Sequence, residues 1–277
     1  MSGLIDAESS STFARAAIGL VVAALIAFAG LRTRALARSG AFAAVFVGTA
    51  VYAGAGLACA AALITFFATG SALSHAGANG AAGSGARRDA RQVLANGGIA
   101  AMCALASTAF RWLGLQHAAD GFALAAIVSI AGVAGDTWAS EIGSRAGGRP
   151  RLITTFAEVR PRTNGAVTWL GTAAAVAGGA LVGLTAGFFG FGGSVAVGAA
   201  IGAASGLVGS TIDSLLGASV QSIWYCRACD GPSDVPAHSC GAAALHVRGI
   251  AGVDNDAVNA LTTACLAGLA VAAAFLF

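Results

Sequence analysis

Long apolar runs alternate with short polar segments along this chain, and most of the runs are long enough to cross a membrane. A spanning helix needs about 20 apolar residues. Phe13–Gly30, Val93–Trp112, Gly121–Trp138, Gly165–Gly187, Val195–Leu216 and Ala257–Phe277 meet that need. Gly40–Ala53 and Leu57–Leu73 are each slightly short and are separated by Gly54-Ala55-Gly56, which predicts a helical hairpin. The pattern therefore predicts an all-α polytopic helical membrane bundle of about 8 transmembrane helices, within a range of about 6 to 9. It reads as one integral membrane domain over residues 1–277, with a polar Cys/His-containing loop at 222–254 inside it. No linker divides it and no internal repeat stands out. Asp6 and Glu8 precede the first apolar run, where a cleaved signal peptide would carry positive charge, so no such peptide is expected.

Charge supports the count of eight. Thirteen of the fifteen basic residues fall in four polar segments: Leu31–Ser39, Ser74–Gln92, Gly143–Thr163 and Ser222–Val253. Short loops rich in Arg mark the cytoplasmic side of a membrane protein. With the N-terminus outside, eight spans place all four segments inside and leave Leu113–Asp120 and Phe188–Ser194 outside without Arg. Reading Gly40–Leu73 as a single span would separate Arg87, Arg88 and Arg91 from Arg32, Arg34 and Arg38. The expected location is a prokaryotic inner (plasma) membrane, with the active face cytoplasmic.

Composition agrees. The chain is 57% hydrophobic and 10% charged, against roughly 25% charged in a soluble domain. Its 40 glycines and abundant alanines let membrane helices approach closely. All fifteen basic residues are Arg. That excludes a Schiff-base lysine and a Walker-type phosphate loop, which needs Gly-Lys-Ser/Thr. The Arg clusters set topology; a nucleic-acid partner is not expected.

Chemistry gathers at the inner ends of the spans. In Gly135-Asp136-Thr137-Trp138-Ala139-Ser140-Glu141-Ile142-Gly143, helical spacing puts Gly132, Asp136, Ser140 and Gly143 on one face with Glu141 beside it. A carboxylate at membrane depth is costly and usually functional, although an interfacial cap would use the same residues. Gly206, Ser210, Asp213, Gly217 and Gln221 form a second small, polar face. Two such Asp residues suit Mg²⁺, which takes one or two carboxylates plus water and substrate phosphates. An Asp paired with a neighbouring Arg is the plainer alternative. Arg88, Gln92 and Asn96 share a face, and Arg88 or Arg91 would hold a phosphate bidentately, or simply set topology. Arg160 and Arg162 immediately precede Thr163 and Asn164, either of which is an expected cap of the sixth span, and so would make an anion site at a helix N-terminus. Asp256, Asn259 and Thr263 share a face at the start of the eighth span, where acids also favour the helix dipole. Cys226-x2-Cys229, followed by His238-x-Cys240, suits a structural Zn²⁺, although a reduced, metal-free loop fits the same residues. Cys59, Cys103 and Cys265 fall within spans and read as small apolar fillers.

At these residues the chain resembles the TMEM19/DUF92 family of integral membrane proteins. The most specific pieces are Gln92-Val93-Leu94-Ala95-Asn96-Gly97-Gly98, the Asp136–Gly143 run, and Asp213-Ser214-x-Leu216-Gly217-Ala218-x2-Gln221. The resemblance extends from Ser39-Gly40-Ala41 to Asn255-Asp256-x2-Asn259. Its characterised plant branch is a phytyl-phosphate kinase, and many prokaryotic members have no assigned activity. Gly135-Asp136-x2-Ala139-Ser140-x2-Gly143 is also similar to the Gly-Asp-x2-Ala motif of CTP-dependent polyprenol kinases. Those often place Lys after the motif where this chain offers only Arg, so CTP and ATP both stay open.

The resemblance implies a prenyl-phosphate kinase acting on an isoprenoid monophosphate and a nucleoside triphosphate in contact with the lipid bilayer. Asp136, Glu141 and Asp213 would be its catalytic carboxylates, with Asp136 and Asp213 holding Mg²⁺. Arg88, Asn96, Ser140, Arg160, Arg162, Asn164, Gln221 and Asn259 would contact substrate or phosphate. A transporter would instead carry its polar groups at the midplane, and a non-catalytic membrane scaffold would need no clustered carboxylates.

Overall fold

A computed structural model describes residues 2–78, 87–145, 149–233, 235–237 and 240–276. Among them are seven helices, each long and apolar enough to cross a membrane. They are α1 (Ser2–Arg32), α2 (Arg38–Ala78), α3 (Ala90–Trp112), α4 (Gln116–Gly143), α5 (Trp169–Phe188), α6 (Val195–Ser219) and α7 (Asn255–Leu276). Large apolar side chains such as Leu25, Phe42, Phe46, Trp169 and Phe188 face outward, while the core is built largely of Ala, with a few larger Ile and Val. That arrangement suits a lipid solvent, where bulky side chains cost nothing outside and small ones let backbones meet inside. α4 is the central helix: its residues from Ser129 to Gly135 are all buried. It packs against α2, α3, α5, α6 and α7.

The expected break at Gly54-Ala55-Gly56 is a fold in α2. Its 41 residues would reach about 60 Å if straight, twice the hydrocarbon thickness. Gly56 instead takes φ 75°, ψ −165°, a conformation open chiefly to glycine. The helix doubles back there, so the seven helices contain eight apolar segments. Val47 of the first arm packs on Gly97 of α3. The second arm ends with His75 Nε2 3.3 Å from the Thr33 carbonyl oxygen, back at the level where α2 begins.

The four Arg-bearing segments meet at one end of the bundle. Ala37 N–H donates to Arg88 O (3.0 Å), Arg145 donates to Leu73 O (2.7 Å), and Arg91 pairs with Asp254 (2.6 Å). The two remaining arginines, Arg15 and Arg111, line a cavity at the other end with Gly56.

Two loops carry small sheets that hydropathy did not reveal. β1 (Arg151–Leu152) pairs antiparallel with β2 (Ala166–Val167). β3 (Ile223–Cys226) lies between β4 (Gly231–Ser233) and β5 (Leu245–Arg248). The first sheet corrects one expectation. Thr163 and Asn164 do not cap the sixth span, because Ala166 and Val167 are extended in β2. The cap is Thr168, whose Oγ1 accepts from Gly171 N–H at 3.0 Å.

Candidate functional site

Glycine decides where the acids lie. α4 and α6 cross with their backbones in contact: a Cβ on Gly209 would stand 2.8 Å from Gly132 Cα, and one on Gly135 would run into Gly206. Asp136 and Asp213 each follow four residues past the Gly132–Gly209 contact, one helical turn on. α5 packs into the same junction, against both α4 and α6, through a run of glycines. A Cβ on Gly179 would stand 2.8 Å from Gly206 Cα, one on Gly183 2.8 Å from Gly202 Cα, and one on Gly198 2.9 Å from Gly187 Cα. Side chains at Gly135 or Gly209 would push α4 and α6 apart and separate the acids.

Beyond the crossing lies a polar cavity of about 350 Å³. Asp136, Ser140 and Glu141 line it from α4, Ser210 and Asp213 from α6, and Arg162, Asn164 and Thr168 from the loop before α5. Gln221 and Asn255 complete the wall. Arg162 sits in the left-handed region at φ 65°, a conformation uncommon outside glycine, within the turn that Thr163 closes on Arg160 O (2.7 Å). Thr262 Oγ1 of α7 donates to Asp213 Oδ2 at 3.4 Å. Glu141 already has partners: Ser74 donates to one oxygen at 2.7 Å and Arg145 to the other at 2.7 Å.

A second cavity, apolar and of about 220 Å³, runs along α1, α2 and α3. Tyr52 and Leu57 lie toward one end, and Arg88 and Asn96 toward the Arg-bearing end. The Arg88 guanidinium stands over Phe66 and Phe67, 5.6 and 5.9 Å from their ring centres. Burial lowers its pKa from the ordinary value, while the nearby Glu141 charge acts the other way. Its charge survives at any working pH, since guanidinium does not deprotonate in proteins.

Most of the residues expected from sequence therefore come together: Asp136, Ser140, Glu141, Arg162, Asn164, Asp213 and Gln221 share the polar cavity. Arg88 and Asn96 belong to the apolar one. Arg160 and Asn259 line neither. Asn259 instead lends its carbonyl to Thr263 (3.0 Å), and Asp256 pairs with Arg91. Sequence reasoning missed Thr262, Thr168 and Asn255. Thr262 and Thr263 are adjacent and chemically alike, and only helix rotation turns Thr262 to Asp213 while Thr263 is buried toward Ala95 of α3. The carboxylates of Asp136 and Asp213, in a cavity shared with Ser140 and Ser210, fit a hard cation such as Mg²⁺. In the loop after α6, the sulfurs of Cys226, Cys229 and Cys240 converge within 4.8 Å of one another. His238 lies outside the described residues.

Fold and site define a polytopic integral membrane protein with a carboxylate-lined polar cavity toward the Arg-bearing end of the bundle. The family model described as "Integral membrane protein DUF92" matches residues 21–267, and the chain belongs to that family, in line with the resemblance carried by its motifs. It is 34% identical over 274 residues to "Protein PGR" of Arabidopsis thaliana, covering 91% of this chain and 93% of that protein. An uncharacterized membrane protein of Methanocaldococcus jannaschii is 42% identical over 98 residues, covering 35% of this chain and 37% of that one. No solved structure matches.

Proposed function

We propose that this protein is a membrane-embedded prenyl-phosphate kinase. It transfers the γ-phosphoryl group of CTP or ATP, with Mg²⁺, to an isoprenoid monophosphate such as phytyl phosphate at the cytoplasmic face. The supporting observation is that Asp136 and Asp213 line one polar cavity at the Arg-bearing end of the bundle. In the reaction a terminal oxygen of the monophosphate bonds to the γ-phosphorus. The bond from that phosphorus to the β–γ bridging oxygen breaks, and the nucleoside diphosphate departs. The acceptor is already anionic, so no strong base is needed, and catalysis rests on positioning and electrostatics. Bound Mg²⁺ would neutralise charge on the phosphates; Asp136 and Asp213 would hold it. Arg162 faces the same space and would bind phosphate oxygens. The apolar cavity would take the isoprenoid tail, with Arg88 at the end where the phosphate emerges from the membrane. Glu141, held by Ser74 and Arg145, would line the polar cavity as a fixed negative wall.

Transport is less well supported, because transporters gather polar groups at the midplane on broken helices, and here the two acids lie in a cavity toward the Arg-bearing end. Purified protein incubated with γ-labelled CTP or ATP and with phytyl, farnesyl or geranylgeranyl phosphate should form a labelled diphosphate, and chelating Mg²⁺ should stop it. Folded protein that labels none of these acceptors from either donor would refute the kinase reading.

A further inference from the structure

The loop between α6 and α7 has a small sheet and almost no core of its own. Its described buried side chains are Gln221, Ser222, Cys226, Ser233 and Ala244, while Val235, Leu245, Val247 and Ile250 are exposed. Strands of four, three and four residues are too short to be stable on that basis, and so small a unit usually needs a covalent or metal staple. Two turns bring sulfur to a common point. Cys226 ends β3, and Cys229 lies in the turn to β4, where Tyr225 OH donates to Asp230. Cys240 arrives from a second turn, closed by Ala244 N–H donating to Pro236 O at 2.8 Å.

The Sγ atoms of Cys226 and Cys240 are 3.6 Å apart. A disulfide would bring them to about 2.05 Å. Two thiolates bound tetrahedrally at about 2.3 Å from one zinc ion stand roughly 3.8 Å apart. We propose that Cys226, Cys229 and Cys240 bind a structural Zn²⁺ that clasps the β3–β4–β5 sheet. Each thiol gives up its proton on binding, and soft sulfur ligands favour zinc over the hard cation suited to the polar cavity. The clasp is separate from the proposed kinase chemistry but adjoins it. Ile250 N–H donates to Val220 O at 2.9 Å, Arg248 donates to Gly217 O at 3.3 Å, and Gly249 lies directly against the backbone of Gln221, a wall of the polar cavity.

Elemental analysis of the full chain, purified through a tag without histidines and without chelator, should find about one zinc per chain. The variant with Cys59, Cys103 and Cys265 changed to Ser should keep that zinc and release it when a mercurial titrates the remaining thiols. The variant with Cys226, Cys229 and Cys240 changed to Ser should lose it. The mercurial release uses protein with the loop cysteines intact, so it stands even if the second variant fails to fold. Wild-type protein without zinc, zinc kept after loss of the three loop thiols, or a disulfide between loop cysteines would overturn the proposal.

Discussion

At the scale of single residues, the acids were legible in the sequence and their partners were not. Asp136 and Asp213 stand out because each is a charge inside an apolar run flanked by small residues, and burial of such a group is costly without a use. The hydroxyl on Asp213 could not be chosen between Thr262 and Thr263, because that choice depends on the rotation of α7 in the bundle. Arg88 was legible as a phosphate candidate or a topogenic arginine, and the fold sets it over two phenylalanine rings at the end of an apolar cavity. If it holds the acceptor's phosphate there, Arg88→Gln removes a charge-assisted contact made in both ground and transition states. The KM for the isoprenoid phosphate should then rise about tenfold, near 1.4 kcal/mol, with kcat little changed. Steady-state kinetics varying the acceptor check this; an unchanged KM with lowered kcat would contradict the placement.

At the scale of elements, hydropathy located the spans, and turn chemistry located the fold in α2. Gly54-Ala55-Gly56 interrupts an apolar stretch too long for one crossing, and Gly56 supplies the positive φ that reverses it. The start of α5 was misplaced because Thr163 and Asn164 cap well in principle, and only the pairing of β2 with β1 shows that the chain is still extended there. The glycine contacts between α5 and α6 were present in the sequence as composition, but which glycine meets which is a matter of crossing geometry. The hairpin carries its own prediction. Arg38 and Arg87 are both exposed and flank α2, so Arg38→Cys and Arg87→Cys should react from the same side of the membrane, the cytoplasmic one. Impermeant thiol reagents on intact and opened cells decide it. Labelling from opposite sides would mean that α2 crosses once, and labelling of both from outside would reverse the assigned orientation.

At the scale of the whole molecule, two cavities of opposite character reach the Arg-bearing end of the bundle, one apolar and bordered by Arg88, the other polar and lined by two carboxylates. An amphiphile with an anionic head calls for both kinds of surface, and neither is visible as a cavity in the linear sequence. What the sequence did carry was the segregation of arginine and acid to one side. The central claim is that Asp136 and Asp213 act together as the cation-holding centre for phosphoryl transfer. The most direct test is the transfer rate in Asp136→Asn, Asp213→Asn and the double variant, each shown to be folded. Each single change keeps shape and removes charge, and should slow transfer by about tenfold to a thousandfold, roughly 1.4–4 kcal/mol. The double variant should be scarcely slower than the worse single one, since groups acting as a unit fail together. Wild-type rates in either single variant, or losses that simply add, would contradict the assignment.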